Sequence, residues 1–480
     1  MSAEVLRARS LAHFWTRLGP RFLPFADAAT SELPLPRLLR LSLFQVSVGM
    51  AAALLIGTLN RVMIVEFGVA AWLVATMVAL PLLAAPFRAM IGFRSDTHRS
   101  ALGWRRVPYI WLGTMLQFGG LAIMPFALVL LTGQGHGPAW IGDAGAALAF
   151  LLVGAGIQTT QTAGLALAAD LAPAHALPRV VALLYVMLLV GMILAGAVFA
   201  VSLLHFTALR LIQVVQAAAL ATMALNVAAL WKQEERRPAA RADQPRPDFR
   251  AVWRAYAARG RSVRFLVAVS LGAAGFSMQD IILEPYGGQV LGLPVGTTTA
   301  LTAILAAGAF AGLALSARAL KSGAHPCRVA GYGALVGVFA FAAVIFAAPF
   351  ASLPLFACGI VFVGLGGGLF AMGTLTEAMR IDVPGYSGMT IGAWGAVQAT
   401  AAGLGIAMGG VLRDLFAGAA SAGALGAALD GPASGYEFVY LLEVFLLIAT
   451  LVAIGPLAAP RTAGVSAREG GIELATASGS

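Results

Sequence analysis

Apolar residues in this chain do not alternate and do not recur in short patches. They run in long, unbroken stretches separated by short polar connections. Each crossing of a bilayer by a helix needs about 20 mostly apolar residues. Twelve stretches meet that length, at roughly 41–64, 71–93, 107–132, 144–168, 179–204, 207–231, 265–290, 296–319, 329–349, 353–379, 389–416 and 438–459. Continuous runs without a two-residue period exclude a barrel, so the runs are read as membrane-spanning helices. The longest polar stretch, Lys232 to Arg264, splits them six and six.

Composition agrees. Of 480 residues 60% are hydrophobic and 11% charged, which excludes a soluble globular enzyme, a disordered chain and a disulfide scaffold. The net charge of +10 raises nucleic acid as a partner, but the placement of the charge removes it. With the amino terminus inside, all basic residues except Arg61, Arg88, Arg210 and Arg413 fall on inner segments. That asymmetry predicts both termini in the cytoplasm. The first 40 residues carry no cleavable signal pattern, and the first apolar run is long enough to span.

The expected organisation is a cytoplasmic amino-terminal segment (1–40), a six-helix bundle (41–231) and a basic linker (232–264). A second six-helix bundle (265–459) and a cytoplasmic tail (460–480) follow. Within the linker, Phe249, Val252, Trp253 and Tyr256 share one helical face, which predicts an amphipathic helix at the inner membrane surface; a plain solvated linker is the alternative. The halves show signs of repetition. Val153 to Gly164 resembles Val363 to Thr374, and Asn60-Arg61 aligns with Gln279-Asp280.

Charges within membrane spans are costly and mark candidate sites. Arg61 and Asp280 occupy matching positions of the two halves with opposite signs. Asn60, Gln279 and Glu284 lie beside them, and separate snorkelling of each charge to the outer interface is one reading. Arg88 and Glu377 sit near inner helix ends and Glu443 in the last span. Gln158, Thr159, Thr160, Gln161 and Thr162 form a polar belt, to line a cavity or to bind helix to helix. Histidines lie in loops, the tail or at a helix end, so a tetrapyrrole magnesium has no mid-helix histidine ligand; Gln, Asn, Glu or water would have to serve. Gly366-Gly367-Gly368 lies inside an apolar run with no strand before it and is not a nucleotide loop. No phosphate loop, zinc spacing or nucleophile motif appears, so no enzymatic activity is expected. Cys327 and Cys358 fall near opposite ends of the spans and cannot meet.

The loop from Gly92 to Arg106 is similar to the inner loop of major facilitator transporters, G-x-x-x-D followed by G and two basic residues, with a longer middle. Gly92, Asp96, Gly103, Arg105 and Arg106 carry the resemblance; a charge-only loop is the alternative. It implies an all-α integral membrane fold of twelve helices in two pseudo-symmetric six-helix bundles, the major facilitator superfamily fold. The resemblance places helices 1 and 7 side by side across the pseudo-twofold, which gives the expectation of an Arg61–Asp280 or Arg61–Glu284 pair closing the outer side, with Asn60 and Gln279 beside it. Three longer strings are more specific: Gly57 to Val69, Ala79 to Leu128 and Met278 to Leu293. They closely resemble the PucC/LhaA family, a branch of that superfamily from photosynthetic bacteria, and Phe14 to Thr30 is more like its LhaA members.

The resemblance implies an assembly factor for light-harvesting antenna, foremost light-harvesting complex 1, in the bacterial intracytoplasmic photosynthetic membrane. The implied cofactor is bacteriochlorophyll, held or transferred, with carotenoid as a second pigment. Implied partners are antenna polypeptides, bacteriochlorophyll or its synthesis machinery, the reaction centre and membrane lipid. Candidate pigment contacts are Trp72, Trp111, Phe118, Gln158, Gln161, Phe276 and Trp394; ordinary packing or lipid contact is the commoner role for such residues. The Phe14–Phe25 segment, with Arg17 and Arg21, is read as an inner-surface contact for partner tails. The competing functions are a proton-coupled small-molecule transporter using Asp280 and Glu284, and a structural neighbour of the reaction centre.

Overall fold

The computed structural model describes residues 33–83, 104, 106–131, 139–173, 176–234, 260–380, 387–424, 426, 431 and 433–458. Every regular element among them is a helix. Eleven are long and apolar enough to cross a membrane, and a twelfth, Ala71–Leu83, is apolar and shorter over its described length. We number them α1 (Leu35–Glu66), α2 (Ala71–Leu83), α3 (Val107–Leu131), α4 (Ala139–Leu171), α5 (Leu177–Ser202) and α6 (Ala208–Leu230). The second half holds α7 (Arg261–Gln289), α8 (Val295–Lys321), α9 (Pro326–Ala347), α10 (Leu353–Arg380), α11 (Ser387–Ser421) and α12 (Ser434–Ala458). The chain is a multi-pass membrane protein. With an even number of helices, Leu35 and Ala458 lie on one face, called the termini face; the other is the far face.

Two boundaries move from expectation. α1 begins at Leu35 rather than 41, because Pro34 precedes it as N-cap and Pro36 is tolerated in the first turn. α7 begins at Arg261, within the stretch assigned to the linker. Arg261 and Arg264 are accommodated there by donating to carbonyls at the end of α12, to Leu457 at 2.8 Å and Ala453 at 3.0 Å. The amphipathic helix expected at Phe249 to Tyr256, the Phe14–Phe25 segment and the tail lie outside the described residues.

Packing repeats between the halves. α1 packs on α5 and α6, and α7 on α11 and α12. α3 packs on α4 and α6, and α9 on α10 and α12. Across the seam, α2 meets α11, α5 meets α8, and the far ends of α1 and α7 meet each other. This pairing is a pseudo-twofold, in which each contact in one half has its counterpart in the other. Large apolar side chains face outward, Phe126, Trp140 and Phe339 being at least two-thirds exposed. Such surface is stable only against lipid or another apolar partner.

Lipid gives apolar helices no reason to associate, so close backbone approach supplies contact energy. At the α2–α11 seam an added Cβ on Gly410 would lie 2.7 Å from the Ala71 carbonyl oxygen and collide with Ala75. Overpacking of this kind costs about 1–3 kcal/mol. Gly410→Val is therefore expected to lower the thermal unfolding temperature of the detergent-purified chain. Gly395→Val, on the same helix with open space around its Cβ position, should leave it close to wild type.

Candidate functional site: the far-face junction between the halves

The junction begins with an irregularity in α1. From Ala53 to Leu59 and again from Val62 to Glu66 the backbone widens into π-helical turns. π-turns free backbone groups and re-aim side chains, and they recur at functional sites. Here they present Gly57, Asn60 and Arg61 to the second half. Opposite them, α7 is interrupted at Met278 and carries Pro285 in its second segment, Gln279–Gln289.

Asn60 is fully buried and donates from Nδ2 to the Asp280 carbonyl oxygen at 3.0 Å, as well as to the Ile56 carbonyl of its own helix. Arg61, 3% exposed, pairs with Glu66 and reaches across the seam to the Leu293 carbonyl oxygen at 3.2 Å. Its guanidinium lies against Gly288, where a Cβ would sit 3.1 Å from Nη2. The pairing expected from the sequence is corrected: Arg61's ion pair is with Glu66, not with Asp280 or Glu284. The physical reason is local. The π-turn from Val62 to Glu66 places the carboxylate five residues on within reach of Arg61, at the rim, where one partner stays partly solvated.

The acids of α7 bond elsewhere. Glu284 is buried and accepts from the Thr302 hydroxyl of α8, while its Oε2 has no hydrogen-bond partner. Gly57 makes this possible, since a Cβ there would lie 2.6 Å from Glu284 Oε1. Asp280 accepts from the side-chain amide of Gln279. The Gln279 backbone N–H, released by the interruption at Met278, donates to Oε1 of the fully buried Glu443 in α12. A carboxylate at the start of a helical segment also favours the helix dipole. The sequence marked Glu443 only as an intramembrane charge. Its partner is a backbone amide, which no side-chain pattern reveals.

A second tie lies at the rim. Asp414 of α11 accepts from the Trp72 backbone N–H at 2.8 Å, capping the start of α2 across the seam. Arg413 pairs with Asp414 at 2.7 Å, donates to the Tyr436 hydroxyl at 2.9 Å and to the Gln289 side chain, and stacks 4.6 Å over the Tyr436 ring. Beneath it Tyr286 is enclosed by the rings of Phe356, Tyr436 and Tyr440, with centroids 5.4 to 5.6 Å away. The far face is thus closed by cross-half bonds from Asn60, Arg61 and Asp414.

On the termini face only Arg106 of the loop motif is described; Gly92, Asp96, Gly103 and Arg105 lie outside the described residues. Arg106 is 5% exposed and bonds Asp170 of α4 through Nε at 3.0 Å. Glu234, just past α6, accepts from the backbone N–H groups of Arg106 at 3.1 Å and Val107 at 2.9 Å. Asp170 and Glu234 escaped the sequence reading, although each is an acid at a helix end on the side rich in arginine. Arg37 donates to the Gln233 carbonyl at 2.8 Å, beside an open basic depression of about 480 Å³ lined by Pro34, Pro36, Arg37, Arg40 and Lys232.

The pigment candidates are spread over several helices rather than gathered in one chamber. Trp72 and Trp111 are more than 40% exposed on the exterior, and Phe118 packs half-buried against the core. Phe276 contacts Phe370 and Phe341 with centroids 5.8 and 6.4 Å away, and Trp394 is buried in the apolar cluster that Phe276 borders. In the polar belt Thr160 accepts from Gln117 of α3 at 2.9 Å, so it binds helix to helix there. Gln158 is nearly buried with its Oε1 unpartnered, and Gln161 is half-buried.

With this geometry in place, comparison with known proteins decides the family. A family model described as PUCC protein matches residues 58–462. The chain belongs to the PucC family. An uncharacterized protein in the puhA-bchM intergenic region of Rhodobacter capsulatus is 56% identical over 446 residues, covering 92% of this chain and 93% of that protein. Protein PucC of Rhodovulum sulfidophilum is 56% identical over 405 residues, covering 83% and 89%. Among solved structures, the nucleoside transporter NupG superposes with a TM-score of 0.62 at 14% identity, covering 88% of this chain and 99% of that one. The fold is therefore that of the major facilitator superfamily, in a PucC-family member.

Removing one member of the junction should cost more than surface charges do. Arg61→Met leaves Glu66 and the Leu293 carbonyl without their donor, at an expected cost of about 1–3 kcal/mol. Glu66, a third exposed, is partly solvated, so Glu66→Gln should cost less. Glu443→Leu should likewise exceed Glu443→Gln, which retains an acceptor for the Gln279 amide. Thermal unfolding in one detergent orders all four; equal effects within either pair would contradict these assignments.

Proposed function

We propose that this chain is an assembly factor for bacterial light-harvesting antenna, foremost light-harvesting complex 1, in the LhaA-like rather than the PucC-like role. It holds or delivers bacteriochlorophyll, with carotenoid as a second pigment, and antenna polypeptides during ring assembly. The single observation that carries the reading is PucC-family membership over 58–462, joined to the family's association with antenna assembly. The geometry is compatible. Asn60, Arg61 and Asp414 are engaged in tying the halves together at the far face, while the extensive apolar surface is outside, where single-span antenna helices and a mostly apolar pigment would dock. Bacteriochlorophyll or its synthesis machinery, the reaction centre and lipid are the further partners. The concentration of arginine on the termini face favours its placement in the cytoplasm, with the chain in the intracytoplasmic photosynthetic membrane.

A second reading rests on Glu284. A buried carboxylate with one unpartnered oxygen, in a transporter fold, suits a proton-coupled small-molecule carrier. Deletion of the gene from a photosynthetic host separates the two. The assembly reading expects loss of light-harvesting complex 1 with bacteriochlorophyll synthesis intact, and recovery of the complex by a Glu284→Gln copy. Normal antenna levels in the deletion strain would overturn it, and failure of the Glu284→Gln copy, folded and inserted normally, would favour the carrier.

A further inference from the structure

A separate cluster sits on the termini face of the second half, away from the far-face junction. His325 is the N-cap of α9, and Cys327 lies in the same first turn. Glu377 is in the last turn of α10. The helices are brought together there by Gly373, whose added Cβ would lie 2.7 Å from the Ala330 nitrogen and 2.8 Å from the Pro326 carbonyl oxygen. One turn beyond, Glu377 faces the start of α9. The candidate ligand atoms of His325, Cys327 and Glu377 all lie within 4.8 Å of one another.

Two observations set this cluster apart from ordinary polar packing. Glu377 is 8% exposed, yet its Oε2 has no hydrogen-bond partner. Two neighbouring arginines are engaged elsewhere, Arg261 donating to the Leu457 carbonyl at 2.8 Å and Arg328 to the Ala458 carbonyl at 3.3 Å, while Arg380 stands near the cluster in the last turn of α10. The donor set is also selective. Thiolate, imidazole and carboxylate together suit a borderline transition ion, whereas magnesium and calcium take oxygen. His325 Nδ1 accepts from the Cys327 backbone N–H at 3.2 Å, so its lone pair already points into the first turn of α9. That cap bond leaves Nε2 as the imidazole nitrogen free to ligate, or Nδ1 in exchange for the bond.

We propose that His325, Cys327 and Glu377 form a binding site for a divalent transition-metal ion of the Zn²⁺ class, with the fourth position left to water or another ligand. Ligand atoms around tetrahedral zinc stand about 3.3–3.6 Å apart, given bond lengths near 2.0–2.3 Å, so side-chain adjustments of no more than about 1 Å bring the three into ligating positions. The loaded site staples the start of α9 to the end of α10. It is independent of the assembly role.

The test is a titration of the full chain, purified in detergent and stripped with chelator, with Co²⁺ as a coloured substitute for Zn²⁺. The expected result is one equivalent bound with a thiolate-to-cobalt charge-transfer band, displaced by Zn²⁺ and not by excess Mg²⁺. Cys358→Ser should keep the band, because Cys358 lies near the start of α10, at the other end of that helix. Cys327→Ser should abolish it, and His325→Ala or Glu377→Gln should weaken Co²⁺ at least about tenfold, as losing even a supporting partner does at metal sites. The wild-type titration decides even if a variant does not fold: no equivalent, or no band, overturns the proposal. So does a band that survives Cys327→Ser, or an affinity unchanged in both other variants.

Discussion

A polar group inside hydrocarbon has no water to turn to, so its partner must come from the protein itself. In this chain that constraint falls most heavily where α1 widens and α7 breaks. Both irregularities release backbone groups at membrane depth. Asn60 meets the Asp280 carbonyl, Arg61 meets the Leu293 carbonyl, and Glu443 meets the freed Gln279 amide. Two of these three bonds join one half to the other. Satisfying the backbone at the break in α7 thus also ties the halves together at the far face, although Asn60, Gln279, Glu284 and Glu443 each keep an oxygen without a hydrogen-bond partner.

The rest of the architecture follows from this closure and from close packing of small residues. Gly57 leaves room for Glu284 and Thr302, and Gly410 lets α11 lie on α2. With its polar groups turned inward to the seam, the protein presents an outside made of large apolar side chains. That outside is the surface which partners approaching through the lipid would meet.

Much of this was legible in the sequence, and for identifiable reasons. The helices announced themselves because twenty apolar residues in a row have few other uses, and the six-and-six division followed from one long charged stretch. The proximity of the ends of helices 1 and 7 followed from the major facilitator resemblance, with which the matched polar residues at Asn60-Arg61 and Gln279-Asp280 agreed. Their bonding was not. Charge complementarity suggested Arg61 with Asp280 or Glu284, but the chosen partners were Glu66, set by a local π-turn, and backbone carbonyls, which carry no sequence signature. Asp170 and Glu234 were missed for the same reason, since Glu234 acts on the backbone amides of Arg106 and Val107. The cluster at His325, Cys327 and Glu377 was invisible because its third member comes from another helix, fifty residues further on.

The central claim, that the outer apolar surface serves antenna polypeptides and pigment, is tested most directly by isolating the tagged chain from growing photosynthetic membranes. An absorption spectrum and partner identification by mass spectrometry would be taken on the same sample. The account predicts bound bacteriochlorophyll together with antenna polypeptides of light-harvesting complex 1. A colourless preparation free of antenna polypeptides, from membranes actively building that complex, would contradict it.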